Sequence, residues 1–214
     1  MTNLFQKQIA RHFATSKPFG ALAAAMGGGT PAVQVFGPKG AYLSLVVEEL
    51  HRRSGKASLI VTPTEREAES LVEDVESLGS SRVRQFPWWG TAPYEGASPL
   101  ASIFGERVQI LTALRAGEPL LVVAPLRALL TPVADPAALA VQAITVTKGA
   151  RLDPQETADA LARAGYLRVP TVTVHGEFAV RGEVIDVYVP GQEQAVRITL
   201  DFDEVAAIRS FDPL

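Results

Sequence analysis

Apolar positions in the first half of the chain alternate between two periods. Leu4, Ile9 and Phe13 fall at near-helical spacing, and Ala21 to Met26 read as a second short helix stopped by Gly27, Gly28 and Gly29. Short apolar runs then trade places with amphipathic stretches. The pattern predicts a buried strand over 32–36 (AVQVF), a helix over 41–53 (AYLSLVVEELHRR) and a strand over 57–62 (ASLIVT). A helix over 64–78, closed by Gly79, and a short strand over 83–86 (VRQF) follow. The segment 87–99 (PWWGTAPYEGASP) is too broken by Pro and Gly for a helix or central strand and reads as a structured loop. Helix resumes over 98–117, and LLVVA over 120–124 is another buried strand. Such alternation predicts a parallel sheet with helices on both faces.

The pattern changes near Thr131. Beyond it come a strand over 143–149 (AITVTKG), a helix over 153–165 (DPQETADALARAG) and three strand-like runs over 171–182, 183–191 and 194–212. This grouping predicts helices and a mainly antiparallel sheet. The expected fold class is therefore α/β, a parallel-sheet domain over 1–130 followed by a smaller α+β domain over 131–214.

Composition narrows the function classes. The 214 residues are 47% hydrophobic and 20% charged, an ordinary globular balance, and the net charge of −3 supplies no general attraction to nucleic acid. With no cysteine there is no disulfide framework, thiolate metal site or cysteine nucleophile. His12, His51 and His175 lack metal-ligand spacing. No apolar run reaches the length of a membrane span, so a soluble cytoplasmic protein is the expectation.

The stretch VFGPKGAYLSLVVEEL has the strand, Gly turn and helix layout of a phosphate-binding loop. In the G-x-x-x-x-G-K-[ST] register from Gly37, Gly40 falls within the loop, Tyr42 stands for the second glycine, Leu43 for the lysine, and Ser44 keeps the hydroxyl. Leucine removes the counter-charge, and tyrosine blocks close approach of phosphate to backbone. Lys39 is misplaced for rescue. The expectation is a degenerate loop with no cofactor. LDFDE (200–204) mimics the acidic strand of a nucleotide site but has no such loop to serve. Asp186 reads as a hydrogen-bonded or exposed strand residue, and His175 has no nucleophile or acid at a triad spacing. Trp88 and Trp89 read as loop anchors, since few basic residues interleave with them as base stacking on DNA would require.

Arginines stand out in the second domain. Arg168 starts a strand, Arg181 precedes Gly182 at a hairpin turn, and Arg197 alternates with Val196, Ile198 and Leu200. Period 2 puts Arg197 and Thr199 on the outer face. Gathered on one sheet face, the arginines would suit an acidic protein partner, although a solvated face has the same pattern.

The runs FPWWGTAPYEGASP, GERVQILTAL, GYLRV, HGEFAVRGEVIDVYVPG and VRITLDFDEVAAIRSFDP together resemble the N-terminal region of bacterial transcription-repair coupling factors, the Mfd family. The resemblance covers nearly the whole chain in order. The last two runs are also similar to the excision-repair helicase UvrB, whose phosphate-binding loop is intact. It implies a degenerate RecA-like domain followed by a UvrA-binding domain, and a recruitment module without catalysis. By the family's pattern Arg168, Arg181 and Arg197, with Phe178 and Thr199, would contact UvrA. Ala179 departs from that pattern, standing where UvrB-type sequences often carry another arginine. RNA polymerase and DNA would be partners of other domains in a full-length relative, and the C-terminal region of such a relative would mask the UvrA surface. A UvrB-related ATPase or helicase fragment, or a DNA-binding module, is the competing reading.

Overall fold

The computed structural model describes residues 4–28, 32–80, 82–91, 100–133, 135 and 144–213. The chain forms two compact units, one of Met1–Trp88 with Ala113–Thr131, the other of Trp89–Thr112 with Pro132–Leu214.

The first unit opens with α1 (Leu4–Ala14), α2 (Lys17–Gly27) and α3 (Ala41–Ser54). Phe13, Phe19 and Val46 form their shared core. Strand β1 (Ser58–Thr62) leads to α4 (Glu65–Ser77), which starts on an N-cap at Thr64: its Oγ1 accepts from the Glu67 backbone N–H at 3.3 Å and donates to the Glu67 carboxylate at 3.0 Å. Ala68, Leu71 and Val75 recur at three- and four-residue spacing, so one face of α4 is buried. With β2 (Val83–Gln85) and β3 (Leu121–Pro125), the sheet has parallel order β1-β3-β2. The α4 face packs on Val83, Leu121, Val123 and Ile60. Leu59 and Val61, on the opposite pleat of edge strand β1, remain exposed, so the second helical layer expected from the alternation does not cover them. A short helix, α6 (Leu126–Leu129), follows β3 directly.

Two expected strands are not formed. Residues 32–36 make no ladder and are exposed, Phe36 at 88%. Ala32, Val33 and Val35 line an apolar cavity with α2 and α3 but stay largely exposed. Residues 144–147 of AITVTKG are likewise irregular, and Val146 packs on the second core from a loop. Ala143 and the loop residues 92–99 lie outside the described residues.

The second unit begins its regular structure with α5 (Ala101–Arg115), most of which belongs to it. Asp153 caps α7 (Pro154–Arg163), accepting from the backbone N–H groups of Gln155 at 2.7 Å and Glu156 at 2.8 Å. The sheet follows: β4 (Leu167–Arg168), β5 (Glu177–Arg181), β6 (Val184–Val187), β7 (Ala195–Asp201) and β8 (Glu204–Phe211), in that spatial order. Only the β4–β5 pair is parallel. Ala158 and Leu161 of α7 pack against Phe178, Ile185, Val187, Ile198, Leu200 and Val205 on the inner face. Each large side chain buried there contributes about 1.5–3 kcal/mol.

A glycine lets α5 approach the turn after β6. A Cβ on Gly105 would overlap the Pro190 carbonyl, and one on Gly191 would crowd the Gly105–Glu106 peptide. Gln109 Nε2 donates to the Pro190 oxygen at 3.4 Å. Two motifs distant in sequence, GERVQ and VPG, are thus one packing unit.

Candidate functional site

Gly37 and Gly40 take positive φ (101° and 51°), and Gly40 precedes the first residue of α3. Tyr42 meets the ring of Phe13 edge-on at 5.3 Å. Leu43 lines the apolar cavity, of about 330 Å³, with Leu22, Met26, Val46 and Leu50. Ser44 is 1% exposed, and its single hydroxyl proton is shared between Asp74 Oδ2 at 3.2 Å and the Gly40 carbonyl at 3.3 Å. The hydroxyl that would serve a metal in a working loop therefore ties α3 to α4.

The tryptophans are covered by arginines from elsewhere in the sequence. The Arg127 guanidinium lies 3.2 Å from the centre of the Trp88 ring and pairs with Glu65 at 3.0 Å. Arg107 lies 4.2 Å over Trp89, which also stacks on Phe104. These contacts anchor the rings within their units. His175 bonds the Gln192 carbonyl at 2.9 Å and packs on Tyr188 at 4.0 Å. Among the described residues there is no group of three metal-ligating side chains and no helix long and apolar enough to cross a membrane.

On the outer face of the second sheet, register assembles one cross-strand row. Ala179 pairs with Asp186, Asp186 with Arg197, and Arg197 with Arg209. Thr199 stands two residues along β7 on the same side. Asp186, only 2% exposed, is held by two arginines. Arg197 donates from Nε to Oδ1 at 2.7 Å and from Nη2 to Oδ2 at 2.8 Å; Arg181 donates from Nη2 to Oδ2 at 2.7 Å. Arg197 also rests 4.9 Å from the Phe211 ring centre.

Burial is the largest influence on Asp186 and opposes its ionisation. The hydrogen bonds and charges of Arg197 and Arg181 together outweigh it and hold the carboxyl below its ordinary value of 3.8. The bond to Asp186 raises the Arg197 pKa in turn. A guanidinium has five N–H donors, of which Arg197 commits two and Arg181 one to Asp186. Their side chains stay 43% and 52% exposed, so the remaining donors face solvent.

The structure divides the arginines differently from the sequence reading. Arg168 pairs with Phe178 in the parallel β4–β5 ladder, so the pleat places it on the inner side of the sheet edge, away from Arg181 and Arg197. Phe178 is 1% exposed and belongs to the core rather than to the surface. Arg209, exposed and directly beside Arg197, joins the outer face instead. Its place depends on the β7–β8 register, which a bulge between Thr199 and Leu200 shifts, so alternation alone does not reveal it. Ala179 is fully buried beneath Val172, with Ala195 beside it. Glu177 fastens that covering segment: its carboxylate accepts from the backbone N–H groups of Thr173 at 2.8 Å and Val174 at 3.0 Å. Those bonds, Thr173's first, lower its pKa.

The UvrB interaction domain family model matches residues 144–214, the segment that builds α7 and the five-stranded sheet. Transcription-repair-coupling factors match more of the chain: that of Haemophilus influenzae is 33% identical over 171 residues, 79% of this chain. Over most of its length the chain is homologous to transcription-repair-coupling factors. The Myxococcus xanthus protein is 33% identical over 85% of this chain, and the Escherichia coli protein 28% over 81%. The chain spans only about 15% of the length of these relatives, 15%, 16% and 15% respectively.

Proposed function

We propose that the outer sheet face of the second unit binds UvrA, and that the chain is a noncatalytic recruitment module coupling stalled transcription to nucleotide excision repair. The observation that carries this reading is the pair of half-exposed arginines fixed on one buried carboxylate, with exposed Arg209 beside them. Such a surface offers several oriented N–H donors to an acidic partner. The name of the matching family model, UvrB interaction domain, supports a protein-binding role. Arg168 flanks the face from the edge strand and would be reached by a partner that wraps that edge. RNA polymerase and DNA remain partners of other regions of a full-length relative.

Asp186 decides how the reading is tested. Arg197→Glu would set a second carboxylate against a buried one, confounding lost binding with lost folding. The clean variant replaces Arg181 and Arg197 by Gln and Asp186 by Asn together. UvrA pull-down by this variant is expected to fail while its circular dichroism stays that of the wild type. Wild-type retention of UvrA would show the face to be misassigned. Mg²⁺-dependent micromolar binding of a fluorescent ATP analogue would favour the nucleotide-site reading instead.

A further inference from the structure

We propose that Asp186 is a positioning residue for UvrA docking: it clamps Arg181 and Arg197, from two different strands, into the geometry the partner meets. This rests on the docking reading above. Three observations support it. The carboxylate is 2% exposed, so it does not itself offer a contact to a partner. Among the described residues its side-chain hydrogen bonds come from these two arginines, while its other cross-strand neighbour, Ala179, brings no polar group. Arg197 is held at two points and braced by Phe211, which leaves its planar fork a single orientation.

Two opposed effects of Asp186 are separable. As a charge it offsets one arginine and would slow the approach of an acidic partner. As a clamp it removes rotamer freedom that binding would otherwise have to remove, typically about 0.5–1.5 kcal/mol for each side chain. The clamp dominates here because two side chains are fixed at once. Asp186→Asn keeps the shape, deletes the charge and releases the arginines.

The experiment measures UvrA association and dissociation by surface plasmon resonance for the wild type, Asp186→Asn and Arg197→Lys. Lysine keeps the charge at 197 but cannot make the two-point contact, so the proposal remains testable if Asp186→Asn fails to fold. Each variant is expected to weaken affinity about tenfold through faster dissociation, with association unchanged or faster for Asp186→Asn. In parallel, ¹⁵N spectra should show a slowly exchanging Arg197 Nε–H signal in the wild type and its loss in Asp186→Asn. Affinity equal to or tighter than wild type in the folded variants would overturn the proposal. Loss of binding in the Gln/Gln/Asn variant with none in Asp186→Asn and Arg197→Lys would sink the positioning role alone. Wild-type binding by all of them would remove the docking reading as well.

Discussion

The loop before α3 and the outer face of the β5–β8 sheet both carry the residue types of a binding site, and they commit them in opposite directions. At the loop, Ser44 is buried on Asp74, Tyr42 is laid against Phe13, and Leu43 walls an apolar cavity. At the sheet, a buried carboxylate fixes two arginines yet leaves most of their donors toward solvent. Binding capacity follows from the polar groups that the fold leaves uncommitted. A hydroxyl already spent between two helices contributes stability; an oriented guanidinium with spare donors contributes recognition.

The comparison breaks most visibly if the sheet is not rigidly mounted. Gly105→Ala forces a methyl into the Pro190 carbonyl, and urea unfolding should report a loss of about 1–3 kcal/mol from the second unit. Full stability in that variant would mean α5 and the VPG turn do not pack as described. Next in size, Arg209→Glu, at an exposed site with no carboxylate partner among the described residues, should weaken UvrA binding about tenfold by calorimetry with little change in melting temperature. Ser44→Ala sharpens the other side of the contrast: a loss of about 1 kcal/mol in denaturant stability, with UvrA affinity unchanged.

The smallest effect is one of pH. Asp186 has a folded pKa below its ordinary value, so its contribution to stability is complete above 3.8 and is lost only as pH falls below that value toward the depressed one. Asp186→Asn should therefore flatten the stability profile below pH 4 and leave its shape near neutrality unchanged, as thermal melts across pH would record.

Periodicity made the second sheet readable because its strands are amphipathic: Ile198 and Leu200 face the core, while Arg197 and Thr199 do not. The 32–36 run misled for a physical reason. An apolar run is a strand only where a neighbouring strand pairs with it, and these residues line an open cavity and stay exposed instead. The arginines show the limit for the site. Their presence was legible, but Arg168's side depends on a parallel register, Arg209's on a bulged one, and Asp186's role on burial that no local pattern encodes. Ala179, a departure at the motif level, turns out to be covered by Val172 and bears on packing.

Photo-crosslinking compares the two regions in one protein. With p-benzoylphenylalanine replacing Thr199 on the arginine face, irradiation in the presence of UvrA should yield a chain–UvrA adduct, and the same group replacing Tyr42 at the loop should yield none. An adduct from position 42 and none from position 199 would contradict the placement of recognition on the sheet.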